Sequence, residues 1–398
     1  MKKVALYSLL LVAGLIGSQF LAGTGTTAIN LLTMFCLSFI MLHVGCEFDI
    51  DQSQPGRYVW DYVVAGTAAA FPWIFCALYF VFVMAPASMR GSGDLWKEAL
   101  LEARFASPTS AGVLFAMLAA AGLGSTWVFK KARVLAIFDD LDTILLMVPL
   151  KIMMVGLKWQ LLVIIVIIFV LLGLAWKFLH RVRLPVNWPF AMVYAALITA
   201  GCEGIYLGSK IIDDSAPVQL EVLLPAFVLG CMLAHPEGHG DGLEAPAEKR
   251  MATIISGCFM VLVGLSMPPI FGNSAAAGHA GHAALHFPGV APEVLAQKSQ
   301  FPGWPAIWMH VLLITVLSNI GKLFPAFCYR REAPLRERLA LAIGMFPRGE
   351  VGAGVLVISL SYGLGGPSLT VAVLSLALNL LCTGLFIAVV KKLIGTRT

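Results

Sequence analysis

The residues of this sequence best placed to do chemistry are charges set inside apolar runs. The stretch IFDDLD, residues 137–142, puts Asp139, Asp140 and Asp142 in a run that otherwise reads as a membrane helix. Lys322 stands in SNIGKLFPAF, and Arg348 and Glu350 stand in GMFPRGEVGAGV. A charge inside a bilayer costs on the order of several kcal/mol unless it meets water, a partner or a proton, so such residues mark functional sites. Two neighbouring carboxylates repel when both are ionised, so Asp139 and Asp140 can hold either protons or a cation. Asp142 shares a helix face with Asp139 and reads either as a third ligand or as a tie between helices.

Depth follows from counting residues to the nearest basic anchor. Asp139 and Asp140 lie roughly 10 Å beyond Arg133, Lys322 about 12 Å from Arg330, and Arg348 about 15 Å from Arg338. Acids, bases and helix breaks thus converge on one layer. There Lys322 is the expected counter-charge of Asp139 or Asp140. Arg348 is expected to compensate the carbonyl ends of a broken helix, and Glu350 to sit in the first turn of the following half-helix, where the dipole favours an acid. Both are also gating candidates. Thr109, Ser110 and the carbonyls freed around Pro108 offer neutral oxygens to an alkali cation, or simple caps. Arg104, Glu102, Glu98 and Glu203 either neutralise one another or, the plainer reading, are solvated or snorkelling charges, and Lys151 reads as snorkelling. His279, His282 and His286 have spacings that could hold a metal or sense pH, but a solvated loop is the plainer reading. The cysteines show no CxxC or zinc spacing and read as small apolar residues in helix packing.

The elements that must hold these side chains are membrane spans. Of 398 residues, 59% are hydrophobic and 12% charged, a balance foreign to soluble domains. About twelve apolar runs approach the roughly 20 residues that cross the hydrocarbon core. They begin near 4, 26, 59, 97, 132, 159, 187, 217, 251, 304, 337 and 367. The first lacks a clear cleavage site and reads as a retained helix. Most of the 27 Lys and Arg fall in alternate connections, whereas Arg90, Lys97, Lys158, Lys210 and Lys298 fall on the other side. That asymmetry predicts an even number of spans with both termini cytoplasmic. The net charge of +5 therefore reflects topology, and no nucleic-acid partner is expected.

Two runs are interrupted alike. Pro108 breaks 97–122, with Ser107 expected as N-cap and Pro108 as the first residue of the new half-helix. Pro347, with Gly349 and Gly352, breaks 337–361. The runs at 59, 97 and 132 form one trio, and those at 304, 337 and 367 form a second of opposite orientation. Paired interrupted helices in such trios point to an inverted-repeat transporter.

These motifs, taken in order, resemble the monovalent cation/proton antiporter superfamily, particularly its bacterial sodium/proton branch. SPTSAGVLFAML is similar to the family's first crossing helix, IFDDLD to its paired-aspartate helix, SNIGKLFPAF to its lysine helix and GMFPRGEVGAGV to its second crossing helix. LHVGCEFDID, LLPAFVLGCML and MVLVGLSMPP follow the family order. The resemblance implies an all-α polytopic protein of 12 or 13 helices in the bacterial inner membrane, a homodimer with a mobile core and a static dimerisation domain. On that reading 1–57 and 158–272 are scaffold and dimerisation helices. Residues 58–157 form core repeat A, with its crossing helix at 97–122 and aspartate helix at 132–157. Residues 273–303 form an external loop. Residues 304–394 form core repeat B, with its lysine helix at 304–329 and crossing helix at 337–361. By position, Asp139 and Asp140 match the ion-binding pair, Lys322 the core lysine and Thr109 the polar position of the crossing helix. The lysine-bearing pattern implies electrogenic exchange of two protons for one sodium. Asp142 departs from the pattern, which has a neutral or small residue there.

The expected function is exchange of a monovalent cation, Na+ first, for protons across a lipid bilayer, serving pH homeostasis. No cofactor is expected beyond the transported ions. Potassium/proton exchange and a sodium-coupled organic-anion symporter on a related fold are the alternatives. Only KKLIGTRT follows the last apolar run, so no cytoplasmic nucleotide-binding regulator is expected. An intramembrane aspartyl protease would set its acids on two helices with a Gly-x-Gly-Asp signature, which the sequence lacks; the chain reads as a transporter and not an enzyme.

Overall fold

The computed structural model describes residues 2–20, 26–46, 55–156, 158–185, 187–212, 218, 220, 222–233, 246–266, 303–361, 364 and 366–395. The chain is a multi-pass, all-helical membrane protein; among the described residues no strand forms, only an isolated bridge between Val182 and Leu233. The first ten helices are α1 (Lys2–Phe20), α2 (Thr26–Cys46), α3 (Pro55–Tyr79, continued as a π-turn through Met84), α4 (Gly93–Ala103), α5 (Ala111–Ala120), α6 (Trp127–Val155), α7 (Trp159–Lys177), α8 (Trp188–Ile212), α9 (Leu223–Met232) and α10 (Pro246–Leu265). The rest are α11 (Trp304–Gly321), α12 (Pro325–Cys328), α13 (Leu335–Gly344), α14 (Glu350–Ser361) and α15 (Pro367–Ile394).

Seven of the described helices are long and apolar enough to cross a membrane: α1, α2, α3, α7, α8, α11 with α12, and α15. Those outside this set have physical reasons. α6 carries the three aspartates, while α4 with α5 and α13 with α14 are each interrupted at a proline. Large apolar side chains such as Phe169 (64% exposed) and Leu197 (65%) face outward, as a hydrocarbon solvent requires.

The chain divides into two compact units. The first holds Met1–Thr24, Tyr58–Thr143 and Val263–Thr398. Within it α15 runs against α1, α11 and α13. α11 crosses α3 where Gly321 meets Pro72 backbone to backbone; a Cβ at Gly321 would strike the Pro72 nitrogen. A proline nitrogen carries no hydrogen, so the approach strands no donor, and it sets the depth of the next residue, Lys322. The second unit holds Gly25–Arg57 and Ile144–Leu262. Here α2 packs along α9, with Gly45 against the Phe227 carbonyl and Gly230 against that of Leu42, so that any side chain at either position would collide. Lipid offers helices no hydrophobic drive toward one another, so small residues that permit close backbone approach supply the association. Glu248, buried in this unit, accepts a 2.8 Å bond from the Trp188 backbone N–H.

Candidate functional site

The two interrupted helices of the first unit meet at their breaks. After α4 a 3-10 turn (Arg104–Ala106) leads into residues 107–110, and α5 starts at Ala111, capped by the Ser110 hydroxyl, which accepts from Val113 N–H at 3.3 Å. The expectation that Ser107 caps this helix is thus corrected by three residues. Ser107 instead donates to the Ala69 carbonyl at 2.9 Å and accepts from Arg104 Nη1 at 2.9 Å. Pro108 therefore precedes the half-helix rather than opening it, and an extra extended segment crosses the second break.

That segment satisfies backbone groups which a helix end leaves without partners. Ser110 N–H donates to the Pro347 carbonyl at 2.9 Å, and Thr109 Oγ1 donates to the Met345 carbonyl at 3.0 Å. Arg348, fully buried, spreads its guanidinium over three acceptors. Nε donates to the Ala106 carbonyl at 2.9 Å, Nη2 to the Ser318 carbonyl at 3.0 Å and Nη1 to Asn319 Oδ1 at 2.9 Å. Asn379 Nδ2 donates to the same Asn319 oxygen at 3.0 Å. Arg348 thus ties the turn after α4, α11 and the second break together. Arg348→Ala is expected to leave the Ala106 and Ser318 carbonyls short of donors at about 1–3 kcal/mol each. Arg348→Lys, which reaches fewer acceptors, should recover only part of that loss; thermal unfolding in detergent measures both.

Asp139 lies beside this crossing. Its Oδ2 accepts from the Thr109 backbone N–H at 2.7 Å, close to the positive end of α5. Lys322 Nζ donates to its Oδ1 at 2.9 Å and its Oδ2 at 2.8 Å, and both residues are 0% exposed. Of the two carboxylates offered by the sequence, Asp139 is the one Lys322 bonds. Asp140 is buried next to it, and its charge acts on Lys322. Asp142, also buried, lies one turn along α6, hydrogen-bonded to Tyr62. Glu350 begins α14, with its side chain outside the described residues, as are His279, His282 and His286. The structure therefore gathers Asp139, Lys322, Thr109, Ser110 and Arg348 around the two breaks, with Asp140 alongside. The hydroxyls of Thr109 and Ser110 are already engaged, one as a tie to Met345 and the other as a helix cap.

Two sequence readings are corrected. Arg104 and Glu102, expected as solvated or snorkelling charges, are 0% and 1% exposed. They sit where the broken helix turns inward, so counting from the nearest loop overstates their access to water. Elsewhere in the first unit Lys131 is buried and forms an ion pair with Asp61 at 3.0 Å and with Glu332 at 3.0 Å. Tyr329 donates to Asp61 at 2.7 Å, and the Lys131 ammonium lies 4.4 Å from its ring centre. This cluster escaped the sequence reading. Its signal was Asp61, an acid near the start of an apolar run, the same kind of signal that marked Asp139.

Against known proteins, no curated protein matches the sequence. Among solved structures, the chain is similar to the sodium proton antiporter MjNhaP1 from Methanocaldococcus jannaschii at pH 8, with 15% identity and a TM-score of 0.57 over 96% of this chain and 92% of that one. At that identity the likeness speaks for the fold. Residues 2–392 match the family model described as "Sodium/hydrogen exchanger, transmembrane". With two crossed, broken helices beside a lysine-bonded aspartate, and that match over nearly its whole length, the chain belongs to the sodium/hydrogen exchanger family of secondary transporters, which exchange a cation for protons.

Proposed function

We propose that Asp139 and Asp140 form the site at which a monovalent cation, Na+ first, competes with protons, and that alternating access presents this site to each side of the membrane in turn. The observation that carries the reading is the Lys322–Asp139 pair, with both carboxylate oxygens bonded to one ammonium and both side chains fully buried. An arriving cation needs those oxygens, so Lys322 must let go as the cation binds, and the lysine stands in for the cation in its absence. Family membership and the fold are consistent with this exchange. In the same reading Arg348 and Glu350 shape the field at the breaks, Thr109 and Ser110 hold the crossing geometry, and the protein works as a homodimer in a bacterial inner membrane with both termini cytoplasmic, contributing to pH homeostasis.

Protons and cation compete for the same oxygens, so lowering the pH by one unit should raise the apparent KM for the cation by up to about tenfold for each competing proton, with kcat less affected. Exchange should therefore fade toward acid pH. The measurement is dissipation of an imposed pH gradient in proteoliposomes carrying a pH dye, with Na+, Li+ or K+ added in turn. A response to K+ alone assigns potassium/proton exchange. Cation uptake that requires an organic anion, without proton movement, would establish the symporter reading instead.

A further inference from the structure

We propose that Arg104 and Asp142 act as a compensated charge pair that sets the field at the Asp139–Asp140 site, Asp142 offsetting the fixed positive charge of Arg104 so that a monovalent cation can approach. The proposal rests on the exchange reading above and deepens it. Both are positioning residues, acting by charge and not as ligands.

Arg104 is fully buried. Its Nη1 donates to Ser107 Oγ at 2.9 Å, its Nη2 to the Asp142 backbone carbonyl at 3.1 Å, and its guanidinium carbon lies 4.8 Å from the centre of the Trp73 ring. Among the described residues its Nε is buried without a hydrogen-bond partner, and its hydrogen bonds go to a hydroxyl and a carbonyl rather than to a carboxylate. Arginine keeps its charge in proteins, so this cation must be balanced through space. Asp139 and then Asp142 are carboxylates whose charges act on it. Asp139 is already bonded by Lys322, so Asp142 is the second carboxylate to which the balance falls.

The surroundings of Asp142 hold its charge in place. Tyr62 donates a hydrogen bond to its carboxylate, and Oδ2, buried without a hydrogen-bond partner among the described residues, lies where a Cβ at Gly66 would meet it at 2.8 Å. The Arg104 bond to the carbonyl of residue 142 holds the guanidinium against the backbone that carries the carboxylate. Without Asp142, the positive charge of Arg104 would act on the site beside that of Lys322 and oppose the incoming cation.

The test is cation-dependent proton flux in proteoliposomes at fixed pH, read as KM and kcat separately. Asp142→Asn is expected to raise the cation KM at least tenfold, about 1.4 kcal/mol, with kcat changed much less. The double variant R104Q/D142N is expected to return KM to near that of the wild type, because both charges leave together. A double variant as impaired as D142N makes Asp142 a ligand and overturns the pairing, as does an unchanged KM in D142N. If D142N does not assemble but the double variant does, with near-normal KM, the pairing stands. If neither assembles it fails, since a neutralised buried pair should pack about as well as the charged one. Absence of cation-dependent flux in the wild type sinks the exchange reading instead. The pair is then judged by melting temperature: a loss in D142N restored in R104Q/D142N supports compensation, and a loss in both overturns it.

Discussion

Asp140→Asn is expected to abolish cation-dependent proton flux, a loss on the order of a hundredfold or more in kcat/KM, equivalent to about 2.7 kcal/mol. Asparagine keeps the size and shape of aspartate and can stay in the same buried position, so the fold should survive, with elution in detergent as the check. What disappears is one negative charge and one proton-binding group. With Asp139 bonded to Lys322 through both oxygens, a neutral residue at 140 leaves one carboxylate facing one ammonium. Such a site has no net charge to draw a cation out of water, and one fewer place to load a proton for the return. Flux at the wild-type level in this variant would show that exchange does not run through the aspartate pair.

Lys322→Gln is expected to destabilise the protein by about 3–5 kcal/mol, because it removes the ion-pair partner of the buried Asp139 carboxylate and leaves it bonded by the Thr109 backbone N–H, with Arg104 and Arg348 acting on it only through space. Removing the acid as well, in D139N/K322Q, should restore most of the lost stability, since a neutral pair of similar volume carries no stranded charge. Melting temperatures of the four proteins complete the cycle. Simple additivity, with the double variant worse than either single one, would mean that the two residues support the fold through separate contacts and that the lysine does not neutralise Asp139. The cycle reads the pair independently of transport, so it tests the counter-charge role even where flux is lost.

The sequence by itself determined the medium and the level of the site. Continuous apolar runs can only be solvated by lipid, and an acid or lysine within such a run is costly enough that its presence is a signal on its own. Hence Asp139, Asp140, Lys322 and Arg348, and the two proline breaks near Pro108 and Pro347, were legible from one dimension. Depth counted along a helix axis needs no partner, which is why one layer emerged from spacing alone.

Tertiary structure decided who bonds to whom. Asp139 and Asp140 are neighbours in sequence and alike in chemistry, yet Lys322 bonds Asp139, because Gly321 lets α11 reach the backbone at Pro72 and so fixes where that lysine enters. Ser110 rather than Ser107 caps α5 because the extended segment must first cross the second break and donate to Pro347. The burial of Arg104, and the Asp61–Lys131–Tyr329 cluster, likewise depend on helices distant in sequence closing over them. Hydropathy and spacing report the cost of placing a charge along one helix; the partner that offsets the cost comes from another helix, and only packing in three dimensions selects it.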